Sequence, residues 1–267
     1  MSWGVFDSGV GGLTVARAVR DKLPGLPLTY LGDTARVPYG IRSADTIRRY
    51  AHEAAEFLHG SGVEGIIVAC NTASALALDV FRDLFPGPVQ GVVGPGSLAA
   101  VEATRNGRIG VIGTPATIRS QAYAERIRSL QPAAEVLSIA CPLFVPLAEE
   151  GWTDGDVPRL IAERYLAPLI QDGVDTVVLG CTHYPLLTPV IRQVMGENVT
   201  LVDSAEAIAN TTLRHAQETN RHDWLQQPAE QLADHLFVTD AGGSFHQVAA
   251  RFLGRELPRL ETVTLGH

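Results

Sequence analysis

Two stretches of the chain are close copies of each other, and each ends in a cysteine followed by polar residues. Residues 62–72 have the sequence GVEGIIVACNT, and residues 173–183 have the sequence GVDTVVLGCTH. In each copy a Gly-Val-acid turn precedes a short aliphatic run, which is typical of a parallel β-strand buried on both faces. Open α/β sheets gather their chemical groups at the carboxyl ends of such strands. The pattern therefore predicts an α/β fold in which Cys70 and Cys181 converge on one site from two repeated halves.

Other matches recur in the same order, which indicates an internal duplication. The two cysteines are 111 residues apart, and the two Val-Pro pairs that begin at Val37 and Val145 are 108 residues apart. The strand sequences at residues 4–8 and 110–114 are 106 residues apart. We therefore expect two similar Rossmann-like or flavodoxin-like domains with mainly parallel sheets. We expect pseudo-twofold symmetry to relate them and the active site to lie between them.

The alternation of strand and helix patterns sets the expected domain boundaries. Residues 90–97 contain three glycines and a proline, which predicts a linker between the domains. Residues 1–95 together with residues 208–267 form the expected first domain, and residues 96–207 form the expected second domain. Each domain then carries one of the two repeated cysteines. The tail has no counterpart in the second half, so we expect it to pack onto the first domain.

Apolar periodicity also predicts the main elements along the chain. Residues 141–152 are expected to form a loop, and residues 235–238 are expected to form a strand of the tail. The expected helices cover residues 13–23, 73–84, 116–130, 157–171, 205–218 and 245–253, and a further helix ends at residue 58 after a cap at Ser43 or Asp45.

Charge and hydropathy patterning exclude several classes of protein. The net charge is −8 and no basic run occurs, so we expect no nucleic-acid partner. No apolar run approaches the roughly 20 residues that span a bilayer, so we expect no membrane association. The first strand and Asp7 lie within the first seven residues, which leaves no room for the basic region and apolar core of a secretory signal. We therefore expect a cytoplasmic protein.

Cysteine and lysine usage bears on metals and cofactors. The three cysteines are far apart and form no C-x-x-C motif, which argues against a disulfide framework and a zinc ribbon, so no metal is expected. Lys22 is the only lysine and is distant in sequence from every candidate site loop. Pyridoxal phosphate needs a Schiff-base lysine in its pocket. We therefore expect an enzyme without a cofactor.

A cysteine at the end of an apolar strand is most often a small buried core residue. Cys70 and Cys181 differ from that case because they occupy equivalent positions in the repeat and each precedes polar residues. Cys141 is followed by Pro142 and has no equivalent in the other half. We therefore expect Cys141 to be a core residue.

The glycine-rich residues 7–12, with the sequence DSGVGG, connect the first strand to the first helix. They are not a dinucleotide-binding fingerprint, because Thr14 stands where the third glycine is required. Their free N–H groups at a helix start suit a carboxylate or phosphate. Two interpretations of Asp7 remain open: it caps the helix, or it orients an ammonium group or holds a proton.

His183 follows Cys181 by two residues, and three interpretations remain open for it. It is a satisfied core histidine, a partner that shares a proton with the thiol, or half of a zinc pair whose other ligands are not evident. Glu149 and Glu150 are expected to form a solvated loop edge, from which one of them could reach His183.

Six motifs together resemble the glutamate racemases of the wider aspartate/glutamate racemase superfamily. The resemblance extends over essentially the whole chain, and the Asn-Thr and Thr-His pairs after the two cysteines favour the glutamate branch. The motifs are Gly4–Gly12, Ala35–Gly40, Ala69–Ala75, Gly113–Thr114, Phe144–Leu147 and Gly180–Pro185.

The resemblance implies a cofactor-independent, two-base interconversion of L-glutamate and D-glutamate that supplies D-glutamate for peptidoglycan. Cys70 and Cys181 would act on opposite faces of the α-carbon, Asp7 would assist Cys70, and His183 would assist Cys181. The resemblance also implies a homodimer, and the short N-terminus lacks the extension through which some members bind an activator. Asp7 and His183 would also bind substrate, and the other substrate-binding residues implied by the resemblance are Ser8, Tyr39, Gly40, Asn71, Thr72, Thr114, Thr117 and Thr182.

Two alternative functions stay open at this point. The chain could be another racemase of the superfamily, acting on aspartate or on a hydantoin. It could also act mainly by binding, because some family members are reported to inhibit DNA gyrase. The acidic charge and the two intact cysteine motifs disfavour a purely binding role.

Overall fold

The computed structural model describes residues 2–226, 235–243, 245–255, 257 and 260–266. Within them, ten strands form two separate sheets, and every pair of neighbouring strands is parallel. The strands are β1 (Trp3–Asp7), β2 (Leu28–Gly32), β3 (Gly65–Val68), β4 (Val89–Gly91), β5 (Arg108–Gly113), β6 (Glu135–Ala140), β7 (Thr176–Gly180), β8 (Thr200–Asp203), β9 (His235–Val238) and β10 (Leu260–Thr262).

The two sheets repeat one strand order. The first sheet runs β10-β9-β2-β1-β3-β4, and the second runs β6-β5-β7-β8. The segment β2-β1-β3-β4 therefore matches β6-β5-β7-β8 strand for strand. Every residue of β1, β3 and β7 is buried, as expected for parallel strands covered on both faces. The expected α/β fold with two similar, mainly parallel sheets is confirmed.

Helices and short 3-10 turns connect the strands. The longest helix of the first half begins after Ser43, whose hydroxyl accepts a hydrogen bond from the Thr46 N–H at 3.3 Å. Of the two expected caps, Ser43 is therefore the one used. The helices are α1 (Leu13–Lys22), α2 (Ala44–Gly60), α3 (Asn71–Leu76), α4 (Leu78–Leu84), α5 (Val93–Ala103), α6 (Pro115–Arg119), α7 (Ala122–Leu130), α8 (Phe144–Glu150), α9 (Asp156–Asp172), α10 (Thr188–Met195), α11 (Ser204–Glu218), α12 (Asp223–Gln226) and α13 (Phe245–Leu253).

The predicted linker at residues 90–97 is wrong. β4 ends at Gly91 and α5 begins at Val93, so this segment is regular structure. Pro95 lies in the first turn of α5, where the missing N–H of proline leaves no helical hydrogen bond unmade. The helix then packs against α7, β7 and α11. Packing against these elements outweighs the turn-forming tendency of the glycines.

Three further expectations need correction. The helix predicted over residues 73–84 is divided at Ala77 into α3 and α4, and the helix predicted over residues 116–130 is divided into α6 and α7. The second division lies at Gln121, whose φ of 59° cannot continue a right-handed helix. The predicted loop at residues 141–152 contains α8, which carries both candidate glutamates.

The tail extends the first sheet. β9 pairs with β2, β10 pairs with β9, and α13 packs against α1. The strand predicted at residues 235–238 and the helix predicted at residues 245–253 coincide with β9 and α13. The expected boundary at residue 208 falls inside α11, which contacts both α1 and α5. The division into domains at residues 95 and 208 stays a prediction.

Candidate active site

The two repeated cysteines follow β3 and β7, which occupy equivalent places in the two sheets. Cys70 and Cys181 are only 5% and 6% exposed, and both line one cavity of about 50 Å³. Val37 and Val145, which begin the two repeated Val-Pro pairs, also line this cavity. The duplicated segments therefore bring equivalent residues to a single cavity. This arrangement places the two thiols in one site.

Most of the candidate residues meet at this cavity. Asp7 and Thr117 are buried and do not line it, and Glu150 is exposed. The candidates that line it, besides the two cysteines, are Ser8, Tyr39, Gly40, Asn71, Thr72, Thr114, Glu149, Thr182 and His183.

Cys70 lies at the start of α3, in a dry environment. Its Sγ donates a hydrogen bond to Ser8 Oγ at 3.3 Å and accepts one from the Ala73 N–H at 3.5 Å. Burial, together with the nearby negative charge of Asp7, raises the pKa of the Cys70 thiol to about 12. The raised pKa favours the protonated thiol of Cys70 at neutral pH.

Asp7 ends β1 and is 1% exposed. Its Oδ2 accepts a hydrogen bond from the Gly9 N–H at 2.9 Å, whereas Oδ1 has no hydrogen-bond partner among the described residues. Burial raises the pKa of Asp7, although the charge of His183 and nearby backbone N–H groups oppose the rise. Helix α1 begins after Gly12 without a side-chain cap, so the interpretation of Asp7 as its cap is wrong.

A histidine and a glutamate stand beside the second thiol. His183 Nδ1 lies 3.9 Å from Cys181 Sγ, and His183 Nε2 lies 2.9 Å from Glu149 Oε1. Burial lowers the pKa of His183, but the hydrogen bonds to Cys181 and Glu149 outweigh burial and raise it to about 10. His183 is therefore a cation at neutral pH. Of the two candidate glutamates, Glu149 is the one that reaches it.

Packing holds the His183 ring in place from two sides. The Phe252 ring of α13 meets it edge to face, with the ring centroids 4.9 Å apart. Gly11 also lies close to the ring. A Cβ added to Gly11 would come within 2.5 Å of His183 Nδ1 and 2.3 Å of Thr182 Oγ1. A glycine is required at this position for close approach.

Three threonine hydroxyls form a triangle that joins the two halves. Thr72 follows β3, and its Oγ1 lies 2.9 Å from Thr114 Oγ1 and 3.0 Å from Thr117 Oγ1. The Thr114 and Thr117 hydroxyls are themselves 3.0 Å apart. Gly40 packs closely against this group, since a Cβ added to Gly40 would lie 2.6 Å from Thr114 Cβ. The triangle supplies both donors and acceptors beside the cavity.

Two of the candidate substrate-binding side chains are hydrogen-bonded to residues outside the candidate set. The Tyr39 hydroxyl donates to Asp33 Oδ2 at 2.5 Å, and Asn71 Oδ1 accepts a hydrogen bond from the Tyr123 hydroxyl at 2.6 Å. Asn71 Nδ2 donates to Ser204 Oγ at 3.3 Å. Sequence reasoning did not identify Asp33, Tyr123 or Ser204, and the only signal for Asp33 was its place just after β2.

Lys22 and Cys141 do not line the cavity. Lys22 pairs with Glu206 at 3.4 Å. Cys141 is completely buried, and its Sγ donates to the Ile139 carbonyl at 3.7 Å. Over the described part of the chain, no group of three or more His, Cys, Asp or Glu side chains could hold a metal ion. No helix among those residues is long and apolar enough to cross a membrane.

Comparison with known proteins agrees with the resemblance seen in the motifs. A glutamate racemase of Geobacter metallireducens is 50% identical over 268 residues, which cover 99% of this chain and 98% of that protein. A Francisella tularensis glutamate racemase, solved in complex with D-glutamate, superposes with a TM-score of 0.90 at 36% identity and covers 98% and 97% of the two chains. The Thermus thermophilus glutamate racemase, solved with β-chloro-D-alanine, gives a TM-score of 0.86 at 41% identity and covers 98% and 96%.

A family match extends over most of the chain. Residues 13–212 match the family described as Asp/Glu/Hydantoin racemase. This span contains both repeated cysteines and most of the cavity, and the relatives named above cover nearly the whole chain. The chain therefore belongs to the Asp/Glu/Hydantoin racemase family and, within it, to the glutamate racemases.

Proposed function

We propose that this racemase interconverts L-glutamate and D-glutamate without a cofactor, with Cys70 and Cys181 as its two bases. The observation that carries the proposal is the placement of two buried cysteines, each after an equivalent strand of a duplicated fold, on one cavity. Inversion at the α-carbon needs a base on one face and an acid on the other. A proton returned to the face it left would regenerate the starting enantiomer.

The electrostatics around the two thiols support a division of roles. His183 is cationic below its pKa of about 10, and it places positive charge 3.9 Å from Cys181 Sγ. That charge stabilises a thiolate on Cys181, while Cys70 keeps its proton. The Cys181 thiolate then takes the α-proton from one face and leaves a carbanion. The Cys70 thiol breaks its S–H bond to deliver a proton to the other face.

The reverse direction needs the opposite charge state. Cys70 must then lose its proton and Cys181 must hold one. Asp7 is suited to accept the Cys70 proton, because burial has raised its pKa and its Oδ1 has no hydrogen-bond partner among the described residues. Asp7 is thus the proton acceptor for Cys70, and His183 is the positive charge beside Cys181. Each group serves the cysteine of its own half.

The cavity is suited to a dicarboxylate substrate and to its carbanion. None of the described residues that line it is lysine or arginine, so hydroxyl and backbone N–H groups would bind the two carboxylates. The α-proton of an amino acid is very weakly acidic, and no cofactor withdraws the electrons. Fixed dipoles in a small, dry space are the remaining means of stabilising the carbanion. The serine and threonine hydroxyls that line the cavity are those of Ser8, Thr72, Thr114 and Thr182.

The biological setting follows from this reaction. We propose that the D-glutamate formed is used for peptidoglycan, which fits the resemblance to glutamate racemases. We also propose a cytoplasmic location, supported by three free thiols. A homodimer is supported by exposed apolar side chains on the second half, at Trp152, Val157 and Leu160. Light scattering of the purified protein tests the dimer.

The experiment that tests the proposal is α-proton exchange in heavy water, followed by NMR. L-glutamate and D-glutamate are offered separately to protein free of pyridoxal phosphate. If racemisation uses two bases, deuterium should enter mainly the product enantiomer, whether the reaction starts from L-glutamate or from D-glutamate. Cys70→Ser and Cys181→Ser should each abolish racemisation, whereas the buried control Cys141→Ser should retain it. Exchange with aspartate but not with glutamate would overturn the substrate assignment.

A further inference from the structure

A buried chain of hydrogen bonds connects the segment after Cys70 to the strand before Cys181. The Tyr123 hydroxyl donates to Asn71 Oδ1 at 2.6 Å, and Asn71 Nδ2 donates to Ser204 Oγ at 3.3 Å. Ser204 Oγ in turn donates to the carbonyl oxygen of Leu179 at 3.2 Å. Asn71, Tyr123 and Ser204 are at most 3% exposed. Water therefore does not compete for these bonds.

This chain of hydrogen bonds links the two segments that carry the cysteines. Asn71 is the residue directly after Cys70, and Leu179 lies two residues before Cys181 on β7. Tyr123 is the second residue of α7, and Ser204 is the first residue of α11. Neither residue lines the cavity. The Asn71 side chain of the first half is thus held by hydrogen-bond partners from the second half. The network spans the division between the sheets directly behind the thiols.

Packing around Tyr123 reinforces this connection. A Cβ on Gly180, the residue before Cys181, would lie 3.3 Å from Tyr123 Cε2 and 2.7 Å from the Ile112 carbonyl oxygen. On the other side, a Cβ on Gly96 of α5 would lie 3.2 Å from Tyr123 Cε1. The tyrosine ring therefore fills the space between α5 and the end of β7. Its hydroxyl is directed to Asn71.

We propose that Tyr123 and Ser204 are positioning residues that set the separation of the Cys70 and Cys181 thiols by holding the Asn71 side chain. The inference rests on the proposed two-cysteine reaction, because it assigns a role to the distance between its two bases. In proton transfer across one carbon, a displacement of either sulfur by about 1 Å lowers the rate strongly. Tyr123 and Ser204 do not line the cavity, so the loss of either hydroxyl should act on turnover more than on binding.

The test uses two single variants and their combination in the full-length enzyme. Tyr123→Phe keeps the ring and removes only the hydroxyl, and Ser204→Ala removes the link to Leu179. Each should lower kcat about tenfold in both directions and change KM for glutamate by less than about twofold. The double variant should be about as slow as the slower single variant, because both act through Asn71.

A matched control separates positioning from stability. Thr212 on α11 is fully buried, and its hydroxyl donates to Gln90 Oε1 at 2.8 Å and to the Ile208 carbonyl at 3.0 Å. Thr212→Val therefore removes a buried hydroxyl from the same helix without touching the network. It should lower Tm by an amount similar to Ser204→Ala while kcat stays within about twofold.

Several outcomes would overturn the inference. Tyr123→Phe with wild-type kcat, or with a raised KM at unchanged kcat, would show that the network does not set the thiol separation. Multiplying losses in the double variant would exclude a common action through Asn71. A crystal structure of Tyr123→Phe supplies a direct readout, since the Cys70–Cys181 Sγ separation should differ from the wild type. Wild-type enzyme assayed in parallel distinguishes the two hypotheses, because an inactive wild type would instead overturn the proposed function.

Discussion

Glu149 Oε1 lies 2.9 Å from Nε2 of His183, and the other ring nitrogen of that histidine lies 3.9 Å from Cys181 Sγ. The pair consists of one buried and one partly exposed side chain, with 11% and 42% side-chain exposure. A carboxylate at the far nitrogen therefore keeps the imidazole charged beside the thiol. On the other side of the site, a buried carboxylate, Asp7, stands near Cys70. The two thiols have chemically different partners.

The charge of Glu149 should set the alkaline limit of activity. Its hydrogen bond and its charge help raise the pKa of His183 to about 10. Glu149→Gln keeps a hydrogen-bonding group but removes the charge, so that pKa should fall. The alkaline limb of the kcat/KM profile should then move to lower pH. Rates measured from pH 6 to 11 check this, with the exposed neighbour Glu150→Gln as the control that leaves the profile unchanged. An unmoved limb in Glu149→Gln would contradict the role of His183 as a cation.

Gly11 should tolerate no side chain. In Gly11→Ala the added Cβ would come within 2.5 Å of His183 Nδ1, so the ring must move away from Cys181. We expect kcat to fall by about tenfold or more. Gly94→Ala is the matched control, because no atom lies within 4 Å of its added Cβ. The control should retain full activity and gain up to about 1 kcal/mol of stability. Full activity in Gly11→Ala would refute the close-packing argument.

Asp33 should control substrate binding through the loop that carries Tyr39. It is fully buried and accepts hydrogen bonds from the Arg36 guanidinium at 2.7 and 2.9 Å, from the Tyr39 hydroxyl at 2.5 Å and from Thr239 Oγ1 at 3.0 Å. Asp33→Asn leaves Arg36 with Glu53 as its remaining carboxylate partner and removes the charged acceptor of the Tyr39 and Thr239 hydroxyls. The free energy of unfolding should fall by about 2 kcal/mol. The KM for glutamate should rise about tenfold as the loop loosens.

Asp79→Asn is the control for that variant. Asp79 forms an exposed ion pair with Arg48, whose Nη2 lies 2.8 Å from Asp79 Oδ2. An exposed pair of this kind contributes less than about 1 kcal/mol. Steady-state kinetics and urea denaturation of both variants check the difference. Equal KM values for the two variants would refute the role of Asp33 in holding the loop.

Asp203 should make stability depend on pH between 4 and 6. Burial raises the pKa of this carboxyl from 3.8 to about 6, even though it accepts the Ala205 N–H as the cap of α11. The raised pKa means that its contribution to stability is fully present below pH 3.8 and is lost as pH rises through about 6. Asp203→Asn keeps a capping oxygen and removes the buried charge. The free energy of unfolding should therefore rise by about 2 kcal/mol at pH 8 and change little at pH 4.

Urea denaturation at the two pH values checks this prediction. Ser43→Asn provides the control, since it exchanges one good capping residue for another at the exposed start of α2. Its effect should be the same at both pH values. A stability gain for Asp203→Asn that is equal at pH 4 and pH 8 would show that the carboxyl does not titrate in this range.

Local pattern was enough to predict the elements that carry the chemistry. β3 and β7 are short aliphatic runs between a glycine turn and a cysteine, and nothing in those runs competes with a buried strand. Prediction was wrong where a local signal met tertiary packing. The glycines and Pro95 of residues 90–97 are typical of a linker, yet α5 forms there because it packs against α7, α11 and β7. Helix breaks at Ala77 and Gln121 likewise had no local signal.

The amino-acid sequence by itself determined the repeated α/β architecture, the pairing of Cys70 with Cys181 and the family. These follow from short-range sequence patterns and from the residues that recur in the two repeated halves. Only the tertiary structure decided that Glu149 rather than Glu150 meets His183, and that Tyr123 and Ser204 hold Asn71. Those contacts join residues 34 to 133 positions apart, through side chains whose direction depends on how helices pack on two different sheets. A linear pattern carries no record of that packing.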